Sequence, residues 1–201
     1  MSQEPEFTDP TSSPFEIFAQ WYGRAEESSL EMPNAMTLAT VDSQGRPNAR
    51  VVLLKGWDDK GFCFFTNYYS QKGMELGENT YAAAVFWWEP LHRQIRIRGE
   101  VQRLSDEASD AYFGSRDRQN QIGAWASRQS TVIPNRGVLD HAITELNQKF
   151  KDAPVPRPPH WGGYRLSPFE IEFWQERPHR LHDRMVFRKD SAGWVQNRLS
   201  P

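Results

Sequence analysis

Apolar residues recur along this chain with two periods, and the switches between them mark its elements. Phe15, Phe18, Trp21 or Tyr22, and Ala25 follow at helical spacing behind Ser13-Pro14-Phe15-Glu16, a capping box with Pro at the first helical position. This predicts a helix from Pro14 to about Ser28. The period then shortens to two. Met36–Val41, Asn48–Trp57 and Phe62–Thr66 read as strands separated by the turns Asp42-Ser43-Gln44-Gly45 and Asp58-Asp59-Lys60-Gly61. Links this short hold no crossover helix, so an antiparallel meander is expected.

Ser70 caps a short helix to Leu76, and Tyr81–Trp88 reads as a strand buried on both faces. Leu91–Leu104 alternates Ile95 and Ile97 with Gln94, Arg96 and Arg98. Ser105-Asp106-Glu107 opens a helix to about Arg116, with acids in the first turn where the dipole favours them. Gln121–Ser127 suggests a further short helix. Gly137–Lys151 is amphipathic, with Leu139, Ala142, Ile143, Leu146 and Phe150 on one stripe. Pro154, Pro156, Pro158 and Pro159 then make a stiff connector within one domain, 14–201. Gly163–Trp174, Arg180–Phe187 and Trp194–Leu199 close the chain as strands. About eight short strands with flanking helices make a mainly β, α+β chain and point to an antiparallel barrel.

Composition removes several classes. The formal charge of −2 and a pI near 6.2 give no global attraction to nucleic acid or an anionic membrane. The single cysteine, Cys63, excludes an internal disulfide and suits a reducing cytosol, the expected location. Met1–Ser13 reads as a mobile polar tail and not a secretion signal. No Gly-x-Gly-x-x-Gly, Walker loop or Gly-x-Ser-x-Gly elbow is present, and the five His lack zinc-ligand spacing, so no metal is expected.

The charged positions gather in four places. Arg50 and Lys55 stand at opposite ends and on opposite faces of one predicted strand, and Lys72 follows a helix start that favours an anion. Taken alone, a strand-end arginine and a solvated lysine is the better reading of these. Tyr112 and Arg116, four apart on a helix, suit a phosphate clamp with Asn120 beyond, or equally a packing pair. Gln129-Ser130 alone is an ordinary turn. Finally, Arg180, His182 and Arg184 share one face of a predicted strand between Phe173-Trp174 and Val186-Phe187. A charge run is in general better read as a solvated edge-strand face, but the flanking aromatics argue here for a partly buried wall facing an anionic, planar ligand. Asp183, on the other face, is expected to hold the strand by an ion pair.

In chain order, Arg50-Val-Val-Leu-Leu-Lys55, Phe65-Thr-Asn67, Trp88-Glu-Pro90, Arg93-Gln94, Gln121-Ile-Gly-Ala-Trp125, Gln129-Ser130, Trp161-Gly-Gly163, Glu172-Phe-Trp-Gln175, Arg180-Leu-His-Asp-Arg184 and Arg198-Leu-Ser-Pro201 resemble the pyridoxamine 5'-phosphate oxidase family from Met36 to the end. The resemblance implies a Greek-key-like split barrel that binds FMN, and a homodimer with FMN at the interface. It also implies oxidation of pyridoxamine or pyridoxine 5'-phosphate by O2 to pyridoxal 5'-phosphate. By the same resemblance Arg50, Val51, Val52, Leu53, Leu54, Lys55, Phe65, Thr66, Gln71 and Lys72 hold FMN from one subunit. Gln94, Gln129, Ser130, Trp174 and Arg184 supply the remainder, in part from the other subunit. Lys55, Tyr112, Arg116 and Asn120 match the substrate-phosphate clamp, and Arg180, Leu181 and His182 the substrate's reacting side. The family commonly has Arg where Gln71 stands and Ser where Asn120 stands. Competing readings are another split-barrel FMN oxidoreductase, a non-catalytic barrel that binds FMN or pyridoxal phosphate, and an oligonucleotide-binding barrel, which the acidic balance disfavours.

Overall fold

The computed structural model describes residues 13–201, so the expected tail before Ser13 lies outside the described residues. Helix α1, Pro14–Glu26, starts where the capping box puts it: the Ser13 side chain accepts from the Phe15 amide, and Glu16 accepts from the Ser13 amide. Its apolar stripe, Phe18, Trp21, Tyr22 and Ala25, is buried against the sheet, and each large side chain contributes on the order of 2–3 kcal/mol.

Nine antiparallel strands form one curled sheet: β1 Ala35–Val41, β2 Pro47–Leu53, β3 Gly56–Asp58, β4 Gly61–Asn67, β5 Tyr81–Trp88, β6 Arg93–Arg103, β7 Trp161–Gln175, β8 Asp183–Asp190 and β9 Gly193–Arg198. Their order is β2-β1-β5-β6-β7-β4-β3, with β8 and β9 extending from β7. The short helices α2, Gln71–Glu78, α3, Asp106–Gly114, and α4, Arg118–Ala126, flank it, as does α5, Gly137–Lys149. The core is dominated by aromatic and branched residues such as Phe18, Phe62, Phe64, Phe86, Ile95, Ile97 and Phe173. Among the described residues no helix is long and apolar enough to cross a membrane.

Four expectations are corrected. The strand expected at Asn48–Trp57 breaks in two, because the backbone changes partners between neighbouring residues. The Leu54 amide donates to the Asn34 carbonyl on the β1 side, whereas the Lys55 amide donates to the Cys63 carbonyl on β4. The expected meander is therefore two hairpins, β1–β2 and β3–β4, at opposite ends of the strand order. Strand β5 is not buried on both faces, since Tyr81 and Trp87 are 60% and 49% exposed while Ala84 and Phe86 are fully buried. In α5 the apolar stripe is only half-covered, and the buried residue is Phe150, just past its end.

The fourth correction falls on Arg180–His182. Strand β8 begins only at Asp183, because Pro178–Arg180 form a 3-10 turn in which His179 and Arg180 have φ of 60° and 63°. Two successive non-glycine residues in the left-handed region break the alternation, at a cost of about 1–2 kcal/mol each. Arg180 and His182 therefore do not share a strand face with Arg184. Asp183 is held as expected, by Arg177 at 2.6 Å and Arg198 at 2.7 Å.

Candidate functional site

A cleft of about 860 Å³ opens where β2, β4, α2 and the α3–α4 region meet. Strand β2 supplies Arg50, Val51, Val52 and Leu53 to it, and Lys55 follows from the partner-switching link. Strand β4 supplies Phe65 and Thr66, α2 supplies Gln71 and Lys72, and the loop after α4 supplies Gln129 and Ser130. Tyr112, Arg116 and Asn120 line the same space. Leu54 points into the core instead, 3% exposed.

Lys72 is the centre of one group. Its ammonium lies 3.1 Å from Thr66 Oγ1 and 3.3 Å from both Ser70 Oγ and Gln129 Oε1. All three partners are neutral oxygens. Burial, and then the charge of Arg50, push Lys72 below the usual lysine value, while Glu75 opposes them. Among the described residues no carboxylate hydrogen-bonds this ammonium, although the Glu75 charge acts on it. Ser130 accepts from the Gln71 amide at 3.2 Å, which ties the loop to the start of α2, and Ser130 itself has φ of 70°.

Arg116 is the centre of a second group. Helix α3 ends at Gly114, so Arg116 stands just beyond it and not on a helix face with Tyr112. Both still reach the cleft, because Phe65, Tyr112 and Trp161 form a wall of nearly parallel rings. The Arg116 guanidinium carbon sits 4.6 Å from the Trp161 ring centroid. Its Nη1 is buried without a hydrogen-bond partner, and burial lowers its affinity for the proton. A buried guanidinium nitrogen left unsatisfied beside a cleft calls for an anionic acceptor.

The remaining expected residues lie elsewhere in the chain. Gln94, Trp174 and Arg184 are register partners across β6, β7 and β8, so they form one row on one sheet face. Trp87, opposite Gln94, extends the row, with its ring 6.1 Å from that of Trp174. Arg184 is fixed by Glu172 at 2.8 Å and by the Ser200 carbonyl at 3.0 Å. His182 packs its ring 4.5 Å from Trp174, while Arg180 and Leu181 are exposed. None of these six lines the cleft of its own chain.

Asn67, Gln119 and Trp161 line the cleft without having been singled out as site residues. The Trp161-Gly-Gly163 motif carried a signal for the last. Glu75, three residues after Lys72 on α2, was missed although that spacing places it on the same helix face.

Comparison with known proteins decides the family. Residues 24–150 match the model described as pyridoxamine 5'-phosphate oxidase, and residues 161–201 match the pyridoxine 5'-phosphate oxidase C-terminal dimerisation region. The chain belongs to the pyridoxamine 5'-phosphate oxidase family. Curated relatives named pyridoxine/pyridoxamine 5'-phosphate oxidase agree. That of Acaryochloris marina is 52% identical over 96% of this chain and 89% of its own, and that of Chromohalobacter salexigens 54% over 94% and 89%. Among solved structures, PhzG from Burkholderia lata, in complex with tetrahydrophenazine-1-carboxylic acid, has a TM-score of 0.93 and 34% identity, covering 100% of this chain and 98% of its own. A pyridoxamine 5'-phosphate oxidase-related, FMN binding protein from Nostoc punctiforme, 17% identical over 95% of this chain and all of its own, shares the fold with a TM-score of 0.76. The split-barrel architecture and an oxidoreductase activity of this family follow. Strand β7, in the dimerisation region, pairs with β4 and β6 of the other matched region, so one sheet carries both.

Proposed function

We propose that the chain is an FMN-dependent oxidase that converts pyridoxamine 5'-phosphate and pyridoxine 5'-phosphate to pyridoxal 5'-phosphate, in salvage of vitamin B6. The observation that carries this is one cleft holding two sets of polar groups, centred on Lys72 and on Arg116, in which neither of those two cations has a carboxylate partner among the described residues. Lys72 beside Arg50 has only neutral partners, and Arg116 has a buried nitrogen with none. A flavin phosphate and a substrate phosphate answer both sets. The volume, about 860 Å³, admits two ring systems.

In this reading Arg50 to Lys55, Phe65, Thr66, Gln71 and Lys72 hold FMN, with Gln129 and Ser130 closing over it. Gln94, Trp174 and Arg184 reach FMN from the second chain of a homodimer, because their own cleft does not include them. The match to a dimerisation region and the exposed Trp87 on the same sheet face support that arrangement. Lys55, Tyr112, Arg116 and Asn120 bind the substrate phosphate. FMN held by these residues would supply the hydride-accepting chemistry, with O2 as the final oxidant reduced to H2O2 and water displacing ammonia from the oxidised amine substrate.

The chain's residues bind and orient. The aromatic wall fixes the substrate ring, and the paired cations fix the two phosphates so that the rings meet. His182 Nδ1 accepts from the Arg177 amide at 3.2 Å, which leaves the ring proton on Nε2. In this reading that nitrogen, contributed by the second chain, holds a hydrogen bond to the reacting substituent, and Arg180 fixes its direction. The strained pair His179–Arg180 fits such a role, since left-handed non-glycine residues persist where function requires them.

The test is turnover of the FMN-loaded protein with pyridoxamine 5'-phosphate against unphosphorylated pyridoxamine. Equal peroxide and pyridoxal phosphate from the first, with kcat/KM at least about 100-fold lower for the second, is expected for a double phosphate clamp. No peroxide from either would overturn the reading.

A further inference from the structure

Behind the cleft wall lies a buried group for which phosphate binding has no evident use. Glu75 is 5% exposed, on α2, and its carboxylate stands behind the Arg50–Lys72 pair. It accepts from Asn48 Nδ2 at 3.0 Å, from Arg50 Nη2 at 3.0 Å and from the Thr40 hydroxyl. Arg50 Nη1 is held in turn by the Leu38 carbonyl at 3.3 Å and by Thr40 Oγ1. One guanidinium is thus tied to β1 and α2 at once. Burial alone would raise the Glu75 carboxyl, but hydrogen bonds from Thr40 and Asn48 and the Arg50 charge hold it below the usual carboxylate value. It is therefore an anion at neutral pH, placed beside the cations that are to receive an anion.

Resting on the reading of this cleft as a flavin-phosphate site, we infer that Glu75 is a positioning residue that aims Arg50 at the cofactor phosphate and at the same time limits how tightly that phosphate is held.

Two opposed effects follow from one side chain. The ion pair fixes the direction of the guanidinium, so the phosphate meets a prepared donor instead of a mobile one. The carboxylate also cancels one of the two positive charges, leaving Arg50, Lys72 and Glu75 together at +1. A flavin phosphate carries between one and two negative charges at neutral pH, and repulsion from a carboxylate one side chain away falls on that group alone. The neutral Gln71 adds no charge to offset it. Cofactor retention by this chain is then set by the balance between a well-aimed arginine and its own counter-charge.

The substitution Glu75→Gln keeps the shape and an acceptor for Arg50 but removes the charge. Dissociation constants for FMN and for riboflavin, which shares the rings but lacks the phosphate, are measured by flavin fluorescence over a range of salt concentrations. Glu75→Gln is expected to tighten FMN about tenfold, to steepen its salt dependence, and to leave riboflavin within about twofold of wild type. Glu75→Asp keeps the charge but shortens the reach to Arg50, and is expected to weaken FMN several-fold with riboflavin again unmoved. If Glu75→Gln weakens FMN or shifts both flavins equally, Glu75 only supports the fold and the inference is overturned. Should Glu75→Gln fail to fold, unchanged FMN binding by Glu75→Asp would overturn it equally. A folded wild-type protein that binds neither flavin would instead sink the cofactor reading itself.

Discussion

The ring of Tyr112 lies 3.9 Å from that of Phe65, centroid to centroid, with the planes 22° apart. This contact joins α3 to β4 and makes the cleft wall one rigid aromatic surface with Trp161. It also separates two jobs of one residue. Tyr112→Phe keeps the stack and removes the hydroxyl, so it should raise KM for pyridoxamine 5'-phosphate several-fold at unchanged melting temperature. Tyr112→Ala should in addition cost about 2 kcal/mol in chemical unfolding. Equal stability of the two variants would show that the stack carries no load.

Arg116 should display opposed effects on function and stability. Its Nη1 is buried without a partner, a desolvation penalty that the ligand-free protein bears. Arg116→Met is expected to melt no lower than wild type, while KM for the phosphorylated substrate rises about 100-fold. A matching loss of stability would mean that the stacking of Arg116 on Trp161 outweighs the missing hydrogen bond.

The pH dependence of stability offers a separate check on Glu75. Its folded carboxyl lies below the ordinary value of 4.5, so the unfolded chain takes up the proton first as pH falls. Its contribution is complete above about pH 4.5 and is lost as pH drops through the folded value. Denaturant unfolding of wild type and Glu75→Gln should show a gap near neutrality that closes in acid. A gap independent of pH would point to packing instead of charge.

What the sequence made legible depended on how local each cause was. The capping box at Ser13, the cap at Ser70 and the alternation of Ile95 and Ile97 are written in neighbouring residues, and those elements appear where expected. The break between Leu54 and Lys55 depends on which distant strand receives each amide, and nothing at those two positions announces it. The turn at His179–Arg180 was hidden for a different reason. Its residues occupy positive φ without glycine or asparagine to signal it, and the regular Arg-x-His-x-Arg spacing read as a strand. The cleft residues from Arg50 to Ser130 were legible as a set only through the family resemblance. The row Gln94–Trp174–Arg184 needed the register of three strands.

Glu172 should hold Arg184 in place within the row. It is 4% exposed and holds both Arg184 and Arg96 at 2.8 Å. Glu172→Ala is expected to weaken FMN binding about tenfold by freeing Arg184, whereas Arg96→Gln should leave it unchanged. Equal losses would show that the pair acts through the sheet and not through Arg184.

On the proposed reading, the cleft of one chain and the Gln94–Trp174–Arg184 row of another make one site. Lys72→Ala breaks the cleft and Arg184→Ala breaks the row, and each homodimer should have little activity. In a heterodimer of the two, one site receives both defects and the other receives none. Random pairing of equal amounts should therefore restore about a quarter of wild-type peroxide release from pyridoxamine 5'-phosphate, since half the dimers are mixed and each has one sound site. Activity no greater than that of the separate variants would contradict a site shared between chains.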